Sequence, residues 1–180
     1  ILRTLAFDML SISTLAFLII WTYQPYLKEV GISLVYFGFV HAGMTGVQIA
    51  VMNNFGRLEK VFGSKNGYLM WSALIAGGAF ILLAIVPKAV VTVPLLLVIA
   101  GFGMSRRVLF ENYMNKHIES SVRATVISAV SMVATLAMGL MYLALGLLVE
   151  WSLRGTLIAI GTAIIACALL ARTREEHLVD

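Results

Sequence analysis

The sequence predicts an all-α membrane protein built from six transmembrane helices, and three observations carry that prediction. Hydrophobic residues make up 61% of the 180 positions and charged residues only 12%, whereas a soluble domain is about half apolar and about a quarter charged. Long stretches such as residues 30–56 and 124–149 contain no Asp, Glu, Lys or Arg. The Lys and Arg residues alternate between the two sides of successive spans. A soluble bundle would need a polar face on most helices, which residues 67–87 and 155–171 lack.

Six apolar segments are long enough to cross a bilayer, whose hydrocarbon core is about 30 Å thick and needs about 20 helical residues. We place the spans at about residues 5–23, 33–53, 67–86, 92–112, 124–148 and 155–171. They form a single domain over residues 1–180, with 172–180 as a cytoplasmic tail. The segment Tyr23-Gln24-Pro25-Tyr26 is predicted to end the first span, because proline disfavours helix in the residue before it. Thr92 is predicted to cap the fourth span.

The basic residues determine the predicted topology. Lys28, Lys88 and Arg154 lie between spans on one side of the membrane. The other side holds the remaining lysines and arginines, which are Arg3, Arg57, Lys60, Lys65, Arg106, Arg107, Lys116, Arg123, Arg172 and Arg174. Cytoplasmic loops attract Lys and Arg, so both ends of the chain are predicted to be cytoplasmic. The sequence pI of about 9.4 then reflects membrane topology, and we expect no nucleic-acid partner.

Polar residues are shared unevenly among the predicted spans. The third and sixth spans are almost purely apolar, whereas the first, second, fourth and fifth carry polar side chains. We therefore expect those four spans to surround a polar interior in a three-plus-three order, with the third and sixth as outer supports. Similar glycine–leucine–acid patterns, Gly56–Glu59 and Gly146–Glu150, follow the second and fifth spans. They lie on opposite predicted membrane faces, as an inverted repeat would place them.

The loop after the second span carries a family resemblance. Its sequence, Gly56-Arg57-Leu58-Glu59-Lys60-Val61-Phe62-Gly63-Ser64-Lys65, resembles the signature loop of the major facilitator superfamily of transporters. That pattern runs glycine, x, leucine, x, acid, base, x, glycine, base, base. Gly56, Leu58, Gly63 and Lys65 fit it, whereas the acid, Glu59, lies one position early.

Two further segments resemble the C-terminal half of bacterial permeases in this family. Residues 123–128 (Arg-Ala-Thr-Val-Ile-Ser) resemble the opening of the eleventh helix. Residues 21–27 (Trp-Thr-Tyr-Gln-Pro-Tyr-Leu) resemble the outer end of the seventh helix. The positions at which this loop differs from the signature also favour the C-terminal half, because the second copy of the loop, in that half, is often degenerate in the family.

The resemblance implies half of a twelve-helix fold, arranged as a 3+3 inverted repeat, with a missing N-terminal six-helix half as its partner. It implies a secondary active transporter that moves a small-molecule substrate by alternating access, driven by a proton or other ion gradient. The inner (plasma) membrane of a bacterium or archaeon is the expected location. Apolar, Met-rich walls suit amphiphilic cargo, so we expect export over import.

Two other functional classes stay open. A membrane-embedded enzyme would need catalytic residues converging at one depth, and Asp8 with Glu111 are the carboxylates that could do so. A non-transporting scaffold or assembly subunit would need no such site. No motif supports an enzyme, and the histidines (His41, His117 and His177) are too scattered for a zinc site. We expect no enzymatic activity, metal or cofactor.

Asp8 is the most informative candidate for the substrate or ion pathway. A carboxylate within a spanning helix is costly and often serves proton or substrate coupling. Ser11 is expected to share its helical face. The alternative is that Asp8, close to the inner end of the first span, is hydrated or paired with a basic loop residue.

The second span carries a polar stripe of His41, Thr45 and Gln48 at i, i+4 and i+7. Histidine titrates near neutral pH and can relay protons. The stripe therefore predicts a cavity-lining or proton-relay role. The alternative is a neutral histidine that forms a hydrogen bond with a neighbouring helix.

Arg107 and Glu111 stand at i and i+4 near the inner end of the fourth span. Such a pair could hold an inner gate shut, or Arg107 could bind an anionic substrate. The alternative is that Arg106 and Arg107 extend to the inner membrane surface and serve as topology anchors.

Trp21, Tyr23 and Gln24 lie at the predicted outer end of the first span. Aromatic residues at this depth commonly form an interfacial belt. The family resemblance offers a second interpretation, in which these residues line the outer mouth of the cavity.

The loop residues are predicted to serve conformational switching. By resemblance, Gly56, Glu59, Gly63 and Lys65 contact the absent half of the transporter during the transport cycle. Arg123 is expected to anchor the start of the fifth span.

Overall fold

In the computed structural model, residues 2–171, Thr173 and Leu178 are described, and their regular secondary structure is helical throughout. Six of these helices are long and apolar enough to cross a membrane: Thr4–Glu29, Leu34–Asn53, Lys65–Ile85, Ala89–His117, Arg123–Trp151 and Leu153–Leu170. The predicted all-α class and the six apolar helices are confirmed, and we call these helices the first to sixth spans. Most of the predicted tail at 172–180, including Arg172 and Arg174, lies outside the described residues, as does the side chain of Arg3.

The first span continues past the end predicted for it at Tyr23. Its last segment runs from Ile19 to Glu29 with Pro25 inside, although proline removes one backbone hydrogen bond from a helix. Tyr26 and Leu27 are fully buried, and the Tyr26 hydroxyl donates to the carbonyl of Leu83 on the third span. Packing against the third span therefore outweighs the local preference of proline, as neighbouring helices often allow in membrane proteins.

The fourth span begins before the predicted cap. Its helix starts at Ala89, and the Thr92 hydroxyl donates to the carbonyl of Lys88 at 3.0 Å. Thr92 therefore lies within the first turn and does not cap the helix. Its hydroxyl instead satisfies a carbonyl four residues earlier, which is a common arrangement for threonine inside helices.

Two π-helical segments interrupt the first and fourth spans, at Met9–Ser13 and Ile99–Met104. They pack against each other. Gly103 lets the fourth span approach the first closely just beyond the first π-segment, because a Cβ placed on it would lie 2.8 Å from the Cβ of Ala16. Because π-segments are rare and occur often at functional sites, the side chains around these two segments are candidates for a functional site.

The third and sixth spans form the closest helix pair. A Cβ on Gly161 would lie 2.6 Å from the carbonyl oxygen of Gly77, and a Cβ on Gly77 would lie 2.9 Å from that of Gly161. The two backbones therefore touch without intervening side chains, as small residues allow between membrane helices. At the far end of the bundle, the Arg154 Nη2 atom lies 2.6 Å from Glu29 Oε1, which ties the sixth span to the first.

Burial separates the spans into two groups. The apolar windows of the first, third and fourth spans are 50%, 56% and 44% buried, whereas those of the second and fifth are only 17% and 11% buried. The third span is thus well packed within this chain, on the face that meets the first, fourth and sixth spans. The second and fifth spans are the peripheral ones, because their outward faces meet no other described helix.

The glycine contact between the third and sixth spans gives a direct test of this packing. Gly161→Ala should lower the free energy of unfolding by about 1–3 kcal/mol, because the new methyl group overlaps a backbone carbonyl. Gly78→Ala is the matched control, since nothing lies within 4 Å of a Cβ at Gly78. It should leave stability unchanged or raise it. Thermal unfolding of both variants in detergent measures the difference, and equal losses would contradict the close backbone contact.

Candidate functional site

A buried ion pair joins the first and fourth spans. The Arg106 Nη2 atom lies 2.7 Å from Asp8 Oδ1, and the two side chains are only 1% and 4% exposed. Asp8 is the last residue before the π-segment of the first span, and Arg106 follows shortly after that of the fourth. The two irregular segments therefore lie beside the only buried ion pair among the described residues.

Further contacts surround this pair, although the buried Arg106 Nε has no hydrogen-bond partner among the described residues. Arg106 Nη1 donates to the Ser72 hydroxyl at 2.7 Å and to the carbonyl of Leu69, both on the third span. The Thr173 hydroxyl donates to Asp8 Oδ2 at 3.0 Å. The guanidinium carbon of Arg106 lies 5.4 Å from the ring centroid of Phe110, within range of a cation–π contact. Three spans and the segment after the sixth span thus meet at one carboxylate and one guanidinium.

Arg106 corrects one of the sequence interpretations. It was expected to extend to the membrane surface as a topology anchor, but its side chain is 1% exposed and bound to Asp8. The reason is the carboxylate itself, because an unpaired charge inside a helical bundle is far costlier than a paired one. Asp8 is paired, although with an arginine inside a span and not with a loop residue.

A cavity that is separate from the surroundings of the ion pair lies between the first, second, fourth and fifth spans. It has a volume of about 150 Å³, and we call it the Ser13 chamber. Its described lining residues are Met9, Leu10, Ser13, Thr14, Phe17, Gln48, Met104, Arg107, Val108, Ala134 and Met138. Asp8 lines a different cavity, of about 240 Å³, together with Arg106 and Thr173. Adjacent residues of the first span therefore face two different spaces.

Arg107 and Glu111 form the ion pair that their spacing predicts. Arg107 Nε donates to Glu111 Oε1 at 2.9 Å, and the side chains are 39% and 42% exposed. Both residues line a cavity of about 80 Å³, with Asn115 and Ser131. This cavity adjoins the Ser13 chamber, because Met9, Arg107 and Ala134 line both. Glu111 and Asp8 lie in different cavities, so the two carboxylates do not converge.

Ser13 has an unusual environment for a helical serine. Its side chain is buried and its hydroxyl oxygen has no hydrogen-bond partner among the described residues. In the same span, Ser11 donates to the carbonyl of Phe7 at 2.7 Å and Thr22 donates to that of Leu18 at 3.3 Å. Ser11 therefore satisfies its hydroxyl locally and lines neither of the cavities beside Asp8 and Arg107. Ser13, at the end of the π-segment, does not.

Aromatic and polar candidates meet between the first and second spans, further from Asp8. The rings of Tyr23 and His41 lie 5.8 Å apart, and Gln24 Nε2 donates to the Tyr23 hydroxyl at 3.0 Å. Tyr23 is buried, whereas His41 and Gln24 are exposed. The structure thus brings these three residues together, with His41 on the outward face of the second span.

The other candidate residues of the first and second spans lie apart from one another. Trp21 packs against Tyr142 of the fifth span, with ring centroids 5.2 Å apart and ring planes tilted by 58°, and is 58% exposed. Thr45 donates to the carbonyl of His41 and is exposed. Gln48 lines the Ser13 chamber, so it is the member of the predicted stripe that lies beside Arg107.

The predicted switching loop contains a short helix, Phe55–Phe62, that includes Gly56 and Glu59. Gly63 ends it in the left-handed region, with φ of 83°, which a glycine adopts without strain. Lys65 opens the third span and is buried, and its Nζ donates to the carbonyl of Leu178 at 3.0 Å.

Arg123 opens the fifth span, where it was predicted to act as an anchor. Its Nη2 atom donates to the carbonyl of Ile118 at 3.2 Å. The side chain therefore folds back on the preceding turn and is exposed there.

Several residues of the site were not among the sequence candidates. Ser72 and Thr173 bind the buried ion pair, and Met9, Ser13 and Met104 line the Ser13 chamber. The carboxylate of Asp8 was a signal that a cation must lie nearby, but spacing could not choose between Arg106 and Arg107. No comparable signal identified Ser13, because a π-segment changes which side chains share a face.

No family model, curated protein or solved structure matches this chain. Its function therefore has to be inferred from its own residues.

The buried ion pair is tested by a double-mutant cycle. Asp8→Asn and Arg106→Gln should each lower the free energy of unfolding by about 3–5 kcal/mol, because each leaves a buried charge without its partner. The double variant should lose much less than the sum, since neither charge remains. Glu111→Gln is the control, as it breaks an exposed pair and should cost about 1 kcal/mol or less. Denaturant unfolding in detergent measures all four, and additive losses would contradict the coupling.

Proposed function

We propose that this chain is the C-terminal half of a secondary active transporter that moves small molecules by alternating access. The observation that carries the proposal is the Ser13 chamber, an interior space with polar side chains at its wall. It is bounded by the four spans that carry the polar residues, and its wall holds a guanidinium, an amide and two hydroxyls among apolar side chains. Binding sites of secondary transporters lie inside the helical bundle, between repeats.

The exposed faces of the second and fifth spans support a missing partner. Gly38, Ala42, Gly46 and Ala50 recur every fourth residue along the second span, and all four are exposed. Small residues at this spacing let a second helix approach closely. On the fifth span, Ser128, Ser131, Thr135 and Gly139 form a similar exposed face. An N-terminal six-helix half would cover both faces and close the chamber from the other side.

The third span also has large apolar side chains on its exposed face. Trp71, Leu82 and Ile85 are each at least half exposed. Large apolar side chains of this sort suit lipid. The small residues on the exposed faces of the second and fifth spans favour an arrangement in which these two spans face the partner and the third and sixth face the bilayer. The 3+3 repeat and the cytoplasmic ends belong to the same proposal, with the plasma membrane of a bacterium or archaeon as the location.

The Asp8–Arg106 pair is the candidate for ion coupling. Protonation of Asp8 would remove the charge that holds Arg106, so the two protonation states of the carboxylate would favour different contacts of the first and fourth spans. Coupling requires that the bound ion alter the relative stability of two conformations. The bonds of Asp8 to the fourth span and to Thr173 support this role, because a change in its charge would weaken them.

Alternating access can be tested by thiol labelling of the full-length gene product in sealed proteoliposomes. In a cysteine-free background, Gln48→Cys should react with a membrane-impermeant maleimide added from either side, because water reaches the chamber in each state. Leu82→Cys is the control, since Leu82 is 50% exposed on the third span and would face lipid. Protection of Gln48→Cys from one side in all conditions would refute alternating access.

Coupling can be tested by comparing driven transport with exchange. The variant Asp8→Asn/Arg106→Gln removes both charges and avoids an unpaired buried one. It should lose accumulation driven by an imposed pH gradient but keep exchange of internal for external solute, because exchange needs no return of the ion. Solutes that the wild-type protein accumulates are the ones measured. Normal gradient-driven accumulation by the double variant would contradict the proposal that Asp8 couples transport to the ion.

A further inference from the structure

We propose that the cargo is a compact organic anion with an apolar body, and that its charged group binds Arg107 and Ser13 in the Ser13 chamber. This inference rests on the proposed transport function, because it names the substrate class of the same cavity.

The charge of the chamber favours an anion. Among the described residues that line it, Arg107 is the only ionisable one. Glu111 lines the adjoining cavity and not the chamber itself. Asp8 faces the cavity on the other side of the first span, where Arg106 and Thr173 occupy its oxygens. A negative group in the chamber would therefore meet a guanidinium without a carboxylate in the same wall.

Arg107 keeps donors available for a ligand. Its hydrogen bond to Glu111 uses the Nε atom, and a guanidinium has five N–H donors in a fixed planar fork. The Nη atoms can therefore bind a second oxyanion while the Glu111 contact holds the side chain in place. Charge-assisted bonds of this kind are shorter and stronger than neutral ones.

Ser13 supplies an independent observation. Its hydroxyl is buried and has no partner among the described residues, although Ser13 lines the chamber and the hydroxyls of Ser11 and Thr22 on the same span bind nearby carbonyls. A buried polar group without a partner is costly, and most such groups in proteins are satisfied. An anionic oxygen in the chamber would accept a hydrogen bond from this hydroxyl.

The other residues of the chamber wall indicate the size and polarity of the uncharged part of the cargo. Phe17 and three methionines, Met9, Met104 and Met138, form much of the apolar lining. Methionine side chains adapt to ligands of different shape. The chamber volume of about 150 Å³ is below the range of about 300–1,000 Å³ that is typical of sites for drug-sized ligands. The part of the cargo held by this half is therefore small, about the size of one ring.

Three probes of similar size separate the contribution of charge from that of shape. Benzoate, benzyl alcohol and benzylammonium share one aromatic ring and differ in the charge of its substituent. Their affinities are measured by calorimetry on the full-length gene product in nanodiscs of zwitterionic lipid. Benzoate should bind the tightest. Arg107→Gln should weaken benzoate binding by about tenfold or more, Arg107→Lys by less because it keeps the charge, and Ser13→Ala by a smaller factor still.

Lys60→Gln is the control, because Lys60 is an exposed cation on the short helix between the second and third spans. It should leave the affinity for benzoate unchanged, and unfolding temperatures check that every variant folds. Equal affinity for the three probes, tighter binding of benzylammonium, or no benzoate binding would overturn the proposal. So would an equal loss in Lys60→Gln and Arg107→Gln.

Flux measurements distinguish the two proposals from each other. Benzoate binding that depends on Arg107, without flux of any organic anion in proteoliposomes, would support the anion site and overturn the transport function. Gradient-driven flux of cations or neutral solutes that Arg107→Gln leaves unchanged would support transport and overturn the anionic cargo.

Discussion

The arrangement of this helical bundle depends on the ion pair between Asp8 and Arg106. A single carboxylate on the first span needs a cation, and the cation lies on a span that is distant in sequence. Removing two charges from water costs several kcal/mol per ion, so the pair persists only because Ser72, Leu69 and Thr173 also bind it. Those bonds fix the relative positions of the first, third and fourth spans and of the segment after the sixth.

Two consecutive arginines then serve two different spaces. Successive residues of an α-helix differ in direction by about 100°, so Arg106 and Arg107 cannot face the same side. Arg106 points into the packed core and neutralises Asp8, whereas Arg107 lines the Ser13 chamber and is 39% exposed. Because the buried carboxylate already has its own cation, Arg107 is available to a ligand. The one ionisable residue of the chamber's described lining is therefore a cation, and its carboxylate partner, Glu111, lies in the adjoining cavity.

The sequence predicted the helices better than it predicted their contacts. Six spans could be predicted from the long uncharged segments and from the basic residues that alternate between the two sides. A helix needs about 20 apolar residues to cross the bilayer, and segments of that kind are visible in the sequence. The end of the first span that was predicted from Pro25 was wrong, since the burial of Tyr26 and Leu27 is a tertiary effect. The Arg107–Glu111 pair was predictable because it is local, at i and i+4. The Asp8–Arg106 pair and the free hydroxyl of Ser13 depend on helix packing and on π-segments, for which the sequence carries no local pattern.

The division between a packed core and two exposed spans bears on how such a bundle could move. The ion pair, the Gly77–Gly161 contact and the Arg154–Glu29 bridge hold the first, third, fourth and sixth spans together. The Ser13 chamber lies at the border of this core, where the second and fifth spans complete its wall. For the transport we propose, the core would move as one body while Asp8 is ionised, because repacking it would then break a buried ion pair. Access to the chamber would then change through its open side, where the partner half would lie, and Arg107 would accompany the core from one state to the other.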